Sequence, residues 1–344
     1  MRATRFLNAC RGEPVDCTPV WLMRQAGRYL PEYRKLRSGR TFLELCRDPA
    51  LAAEVTLQPI ERLEVDAAIL FSDILVIFDG LGIPLEFVPG QGPVISKPLR
   101  CAADISALRT FVPEEHTPYV LETIRLVRRE LDGQVPLIGF AGAPLTLAAY
   151  AVEGGTSKNF THLKRMMFAQ PDVFKDLMAH LARAVSSHLR AQAEAGAQAL
   201  QLFDTWAGIL APEDYARHVM PFSGAILASL RDLGVPLIHY ANGAAALLTE
   251  LGRLGADVLG IDWRIGLRRV VEALGPDVVL QGNLEPSVLY ASEEYIESRV
   301  ADVLAEGATA RGHIFNLGHG VHPDIDPGRV RAMVDAVHRL SAST

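Results

Sequence analysis

Short apolar runs alternate with longer amphipathic stretches along the whole chain. Eight runs stand out, at residues 19–23, 67–71, 135–140, 199–203, 235–240, 258–261, 278–281 and 313–317. Most carry few charges and show little in–out alternation, the pattern of strands buried on both faces of a parallel sheet. Between them, stretches 51–63, 171–195, 212–233, 293–305 and 327–340 space their apolar residues as helices do. Several open on proline (Asp48-Pro49, Gln170-Pro171, Ala211-Pro212, Asp326-Pro327), which suits a first helical turn because the N–H that proline lacks has no partner there. Eight βα units in succession predict an α/β protein, a single (β/α)8 TIM barrel spanning residues 1–344, in preference to a doubly wound open sheet. Such a barrel needs about 250 residues. The excess in this 344-residue chain is assigned to an N-terminal extension and to an insertion at 80–100, after the second strand. In the insertion, Phe87, Val88 and Val94, Ile95 flank Pro89-Gly90-Gln91-Gly92, a hairpin pattern.

In barrels the chemistry lies on the loops after the strands. Here those loops read Arg24-Gln25-Ala26-Gly27-Arg28, Ser72-Asp73, Gly142-Ala143-Pro144, Asp204-Thr205-Trp206, Asn242-Gly243, Asp262-Trp263-Arg264, Asn283 and Gly318-His319-Gly320. Polar residues gather where an active site is expected, which predicts an enzyme without naming its reaction.

Composition narrows the choice. A net charge of −6 argues against a general nucleic-acid binder, which is usually basic. The four cysteines, Cys10, Cys17, Cys46 and Cys101, form no C-x-x-C, so reduced thiols in a reducing compartment are expected. The first 20 residues hold scattered charges and no signal-like apolar segment. The uncharged stretch 133–152 is interrupted by Pro136, Gly139, Gly142 and Pro144, so it reads as strand, loop and helix start instead of a membrane span. A soluble cytoplasmic protein with no membrane partner is expected. Neither a P-loop nor a complete G-x-G-x-x-G is present, and H-E-x-x-H and G-x-S-x-G are also missing. The histidines show no close ligand cluster and no cysteine follows Cys101, so no metal is expected.

From Arg24 to Arg40 there are six basic residues and one acid, Glu32, a local positive field in an acidic chain. Arg34, Lys35 and Arg37 read as a solvated helix face. Arg24 and Arg28 follow directly on an apolar strand and flank Gly27, so they are assigned to a site that binds carboxylates or phosphates. Asp73 closes the run Ala67-Ala-Ile-Leu-Phe-Ser72. An acid in such a setting needs partners, and the residues leave open a functional acid, a helix cap or an ion pair. His319 lies between two glycines at the last strand ending and is read as a site residue. His239, His313 and His322 are read as structural or peripheral.

The stretch Pro19-Val-Trp-Leu-Met-Arg-Gln-Ala-Gly-Arg28, continued by Pro31-Glu-Tyr33, resembles an N-terminal signature of the uroporphyrinogen decarboxylase family. Gly139-Phe-Ala-Gly-Ala-Pro-Leu-Thr146, through Tyr150 and Gly154-Gly155, resembles the family's second signature. Phe71-Ser-Asp-Ile-Leu75, Asp204-Thr205 and Asn316-Leu-Gly-His-Gly320 fall where that pattern expects them, so the resemblance spans the chain. It implies a single (β/α)8 barrel, a homodimer, and decarboxylation of the four acetate side chains of uroporphyrinogen III without metal or cofactor. It places Arg24, Gln25 and Arg28 on substrate carboxylates and gives Ala26 and Gly27 backbone contacts. Asp73 would face the pyrrole N–H groups, with Tyr150, Thr205 and His319 also in the cleft. It further implies Arg24 as the acid, although guanidinium groups titrate above about 12; His319 and Tyr150 are the other candidates.

Two rival readings remain. One is a zinc- or corrinoid-dependent methyltransferase of the same barrel superfamily, which typically uses late His and Cys ligands. The other is a non-catalytic anion- or tetrapyrrole-binding protein.

Overall fold

The computed structural model describes residues 2–88 and 90–342, so Pro89 of the expected hairpin turn lies outside the described residues. Seven parallel strands form one curled, TIM-barrel-like sheet: β1 (Ala68–Ile69), β4 (Leu137–Gly142), β5 (Ala199–Asp204), β6 (Leu237–Ala241), β7 (Val258–Ile261), β8 (Val279–Gln281) and β9 (Gly312–Ile314), hydrogen-bonded in that order. The two remaining strands, β2 (Leu85–Val88) and β3 (Gly92–Ile95), pair antiparallel with Leu85 opposite Ile95. This is the hairpin at the expected place, and it docks at the C-terminal end of the helix Pro144–Glu153, where Ile95 N donates to Gly154 O at 2.9 Å.

The stretch 19–23, expected as a strand, makes only an isolated bridge from Val20 to Phe315. The reason is local. Pro19 has no N–H to give a ladder, and the N–H of Val20 is taken by the Asp66 side chain at 2.8 Å. The segment nevertheless spans the two sheet edges: Phe315 N donates to Pro19 O at 2.8 Å and Asp66 N donates to Val20 O at 2.7 Å. A second departure concerns stretch 212–233, expected as one helix. It forms Pro212–His218 and Met220–Ser229, then a short turn at Arg231–Leu233. Pro221 has no N–H with which to continue the first helix. The other expected helices form, as Pro49–Leu63, Pro171–Glu194, Glu293–Gly307 and Pro327–Ser341. Asp48 and Asp326 cap the first and last of these by accepting from Ala50 N and Gly328 N.

Helices cover the outside of the sheet. Inside it, Trp21, Ala67, Ile138, Ala199, Ile238, Val258, Val279 and Ile314 pack together over Phe6, Ala9 and Cys10 of the helix Arg2–Cys10, which closes the N-terminal end. One polar chain crosses this interior, from Trp21 Nε1 to Gln281 Oε1 (2.9 Å) and from Gln281 Nε2 to Gln201 Oε1 (3.0 Å). The polar loops gather at the opposite, C-terminal ends of the strands. Among the described residues no helix is long and apolar enough to cross a membrane.

Candidate active site

The loop after residue 21 is built so that its arginines point outward. Gln25 is fully buried: its Oε1 accepts from Leu22 N at 3.0 Å and its Nε2 donates to Ala67 O at 3.1 Å. Tyr29, buried beside it, donates its hydroxyl to Gln25 O at 2.6 Å. This pulls Gln25 inward and leaves Arg24 and Arg28 exposed, with Ala26 and Gly27 half-buried between them. Gln25, expected on the substrate, therefore holds the loop with its side chain instead. Farther on, Arg34 donates to the carbonyls of Arg28 and Tyr29, and Arg40 to that of Leu36.

Arg24 has a left-handed backbone with φ of 60°, a conformation that costs a non-glycine residue about 1–2 kcal/mol. The loop after β9 holds it there. Met23 N donates to Asn316 Oδ1 at 3.1 Å, and Val321 N donates to Met23 O at 3.0 Å. Between them Gly320 gives room: a Cβ at that position would come within 2.4 Å of Arg24 Cδ.

Asp73 lies beyond the C-terminal end of β1, in a recess that leaves it partly exposed. Its Oδ1 accepts from Leu75 N at 2.8 Å; its Oδ2 has no hydrogen bond among the described residues. The cap and the functional acid thus coexist in one carboxylate. Dense surrounding protein desolvates the group and pushes its pKa up to about 6, against the Leu75 N–H and the positive field of Arg24. Tyr150 lies in the same field. Burial first, then Asp73, raises its phenol above the ordinary value, so it stays protonated near neutrality. His319 moves the other way. Burial, followed by repulsion from Arg24, His322 and Arg264, lowers it to about 4, so its imidazole is neutral at pH 7. Arg24 therefore acts on Asp73, Tyr150 and His319 together.

Thr205 is placed by its neighbour. Asp204 is fully buried and accepts from Thr146 Oγ1 at 3.0 Å and from the Tyr215 hydroxyl at 3.1 Å. Burial outweighs both bonds and raises its pKa to about 6. Thr146 Oγ1 in turn accepts from Trp206 N at 3.3 Å, and Asn242 Nδ2 donates to Thr205 O at 3.3 Å. Trp206 lies edge-on to Tyr150, with ring centroids 6.1 Å apart, and 4.9 Å from Phe160. Sequence reasoning gave no role to these supports: Thr146, Tyr215, Trp206, Asn316 and Gly320. Thr146, Asn316 and Gly320 lie in the quoted motifs and Trp206 in a strand-end loop, while Tyr215 had no signal at all.

His313 is buried against Gly282 O at 2.8 Å, and His322 lies on the surface beside the Tyr290 hydroxyl at 3.3 Å. His239 is buried in β6. Among the described residues no three His, Cys, Asp or Glu side chains form a group able to hold a metal ion.

Comparison with known proteins fits this geometry. The sequence model of the uroporphyrinogen decarboxylase (URO-D) family matches residues 1–340. The chain belongs to the uroporphyrinogen decarboxylase family. It is 55% identical over 338 residues to the uroporphyrinogen decarboxylase of Syntrophotalea carbinolica and 54% identical over 337 residues to that of Geobacter sulfurreducens, covering 98% of each chain in both cases. Among solved structures, a methyltransferase from Methanosarcina mazei superposes with a TM-score of 0.80 at 20% identity, over 98% of both chains. A B12-independent methionine synthase from Shewanella sp. W3-18-1 follows at 0.59 and 9% identity, over 93% of this chain and 94% of that one. At such identities the two structures speak for the fold alone.

Proposed function

We propose that the chain is a carboxy-lyase that converts the four acetate side chains of uroporphyrinogen III to methyl groups, giving coproporphyrinogen III and carbon dioxide. The observation that carries the reading is the family match across residues 1–340, with relatives of that name at 54–55% identity. The site supplies what this chemistry needs. Protonating the pyrrole α-carbon next to the carbon that bears the acetate makes the ring cationic and leaves the acetate-bearing carbon electron-poor. The C–C bond to the carboxylate then breaks, carbon dioxide leaves, and its electron pair neutralises the ring. Protonation of the resulting exocyclic methylene gives the methyl group, and loss of the proton from the ring carbon restores the pyrrole. The ring itself is the electron sink, so the scheme calls for no metal or cofactor.

Asp73 and Arg24 are assigned the catalytic roles. An ionised Asp73, with its uncommitted Oδ2 toward the pyrrole N–H groups, stabilises the cationic ring more than the neutral one, and such preorganised charge accelerates the step. Arg24, held in its left-handed turn, faces the reacting carboxylate and is assigned the proton. Its neighbours Tyr150 and His319 are both neutral near pH 7, so they donate or accept hydrogen bonds to the substrate. Arg28 and Thr205 complete the substrate contacts, Ala26 and Gly27 contribute backbone, and Gln25 fixes the loop.

Residues 19–21 act as the first strand of a closed eight-fold barrel, and the chain forms one domain. A cytoplasmic homodimer is the expectation that accompanies the family. The methyltransferase reading rests on fold alone and has no observation of its own.

The test is anaerobic incubation of purified, metal-stripped protein with uroporphyrinogen III, with products oxidised and separated by carboxylate number. Seven-, six-, five- and four-carboxylate species appearing in turn are expected. Activity that returns only on adding zinc would overturn the reading.

A further inference from the structure

The endings of β6 and β7 carry a charged cluster to which the proposed reaction assigns no role. Asp262, almost fully buried, accepts from Arg264 N at 2.8 Å, from Arg264 Nη1 at 2.9 Å and from Gly243 N. The same Nη1 donates to Asn242 Oδ1 at 3.0 Å. One face of the guanidinium lies over Trp263, with Cζ 4.0 Å from the ring centroid, a cation–π arrangement. A carboxylate, an amide and an aromatic face thus fix the head of Arg264, yet 48% of its side chain is exposed. Its Nε and Nη2 have no partner among the described residues.

This cluster faces the same opening as Arg24. Trp263 meets His319 edge-on, with centroids 6.5 Å apart. His319 and Tyr240 each feel the charge of both Arg24 and Arg264. The sheet order sets the distance between the two walls. From β1 to β7 three strands intervene one way (β4, β5, β6); the other way lie β8, β9 and residues 19–21. Asp73 and Arg264 therefore rise from opposite sides of the opening.

A cyclic tetrapyrrole with one ring over Asp73 extends its opposite ring toward that far wall. We propose that Arg264 is a second carboxylate anchor, taking one of the four carboxylates that survive the reaction on the ring opposite the one being decarboxylated. The inference rests on the uroporphyrinogen reading. Asp262 offsets much of the charge of Arg264, so recognition is directional: Nε and Nη2 offer two parallel N–H groups to one carboxylate. Asp262, Asn242 and Trp263 are positioning residues for that fork.

The experiment measures initial anaerobic rates on uroporphyrinogen III, over a range of ionic strength, for wild type, Arg264→Ala and Arg264→Lys. Binding of the four-carboxylate product is followed in parallel by tryptophan fluorescence. Loss of a charged hydrogen-bond pair corresponds to a KM about 10- to 100-fold higher, with kcat for the first carbon dioxide within about twofold of wild type. Product binding weakens by the same factor, the salt dependence of kcat/KM becomes shallower, and lysine restores part of the loss because it keeps the charge without the fork. A purely structural role would leave the salt dependence unmoved. Unchanged KM and product binding in the alanine variant, or a fall in kcat alone, overturns the proposal. Should alanine fail to fold, Arg264→Gln carries the same comparison. A wild type that binds product but releases no carbon dioxide counts against the reaction, and product titration of the variants still decides the anchor.

Discussion

Asp66 and Asp73 stand at the two ends of one short strand, β1, and the protein treats them differently. Asp66, at the N-terminal end, is fully buried and fully partnered: Arg5 Nη1 at 2.5 Å, His338 Nε2 at 2.7 Å and Val20 N at 2.8 Å. Asp73, at the C-terminal end, has one backbone N–H and a free carboxylate oxygen, and its pKa is pushed up to about 6. The same contrast runs across the ends of the sheet. A cavity of about 500 Å³ opens at the N-terminal end. There Arg231 is paired with Asp257, and Arg311 donates to Arg11 O at 2.9 Å. At the other end Arg24 and Arg28 are exposed and no ion pair is formed by either among the described residues. Arg231 and Arg311 are satisfied by the fold, whereas Arg24 and Arg28 are left without such partners.

The largest effect should come from exchanging these roles. Asp73→Asn removes the charge and keeps the shape, so turnover should fall by about 10²–10³-fold, the scale of losing one preorganised electrostatic group, while the fold persists. Asp66→Asn should do the reverse: about 3 kcal/mol of stability lost, since a buried cation is left short of its partner, with near-normal turnover per folded molecule. Chemical denaturation alongside rate measurement separates the two. Comparable losses of activity per folded molecule would break the contrast.

Gly320→Ala tests how Arg24 is held. The new methyl group would collide with Arg24 Cδ, and for a group with the role proposed for Arg24 a displacement of about 1 Å costs about 10²-fold. We expect that loss in kcat/KM, with melting little changed because the side chain displaced, Arg24, is exposed. Wild-type kinetics in the folded variant would show that Arg24 needs no such mould.

The smallest effects are those of pH. The proposed mechanism uses ionised Asp73, so kcat/KM should fall as pH drops through about 6, and Asp73→Asn should lack that limb. Stability carries the opposite sign. A carboxylate whose folded pKa is raised favours the native state while protonated, and that contribution is lost as pH rises from about 4 through about 6. Asp73→Asn should therefore melt no lower than wild type at pH 7, by up to about 3 kcal/mol in its favour, with the difference closing below pH 4. A variant less stable than wild type at pH 7 would mean that Asp73 serves the fold.

Much of this was legible in the sequence because burial on both faces leaves uninterrupted apolar runs, and the residue after each run marks a loop. Asp73, Arg24, Arg28, Tyr150, Thr205 and His319 were read that way, or through the family resemblance; the structure sets five of them in loops at the same end of the sheet and Tyr150 on the helix Pro144–Glu153 that follows β4. What could not be read depends on partners remote in sequence. Residues 19–23 have a strand's composition, yet the Asp66 side chain takes the N–H that a ladder would use. Gln25 belongs to the same motif as its arginines, and a motif does not distinguish a residue that touches substrate from one that holds the loop. Gly320 is needed only because Arg24, from the other end of the chain, packs against it.

The most direct test of the account is one assay: wild type and Asp73→Asn, matched for folded protein, incubated anaerobically with uroporphyrinogen III at pH 7.5, with products resolved by carboxylate number. The account predicts stepwise loss to four carboxylates in wild type and almost untouched eight-carboxylate substrate in the variant. Turnover by Asp73→Asn within about tenfold of wild type would contradict it, because a difference below about 1.4 kcal/mol is too small for the charge that the reaction is said to require.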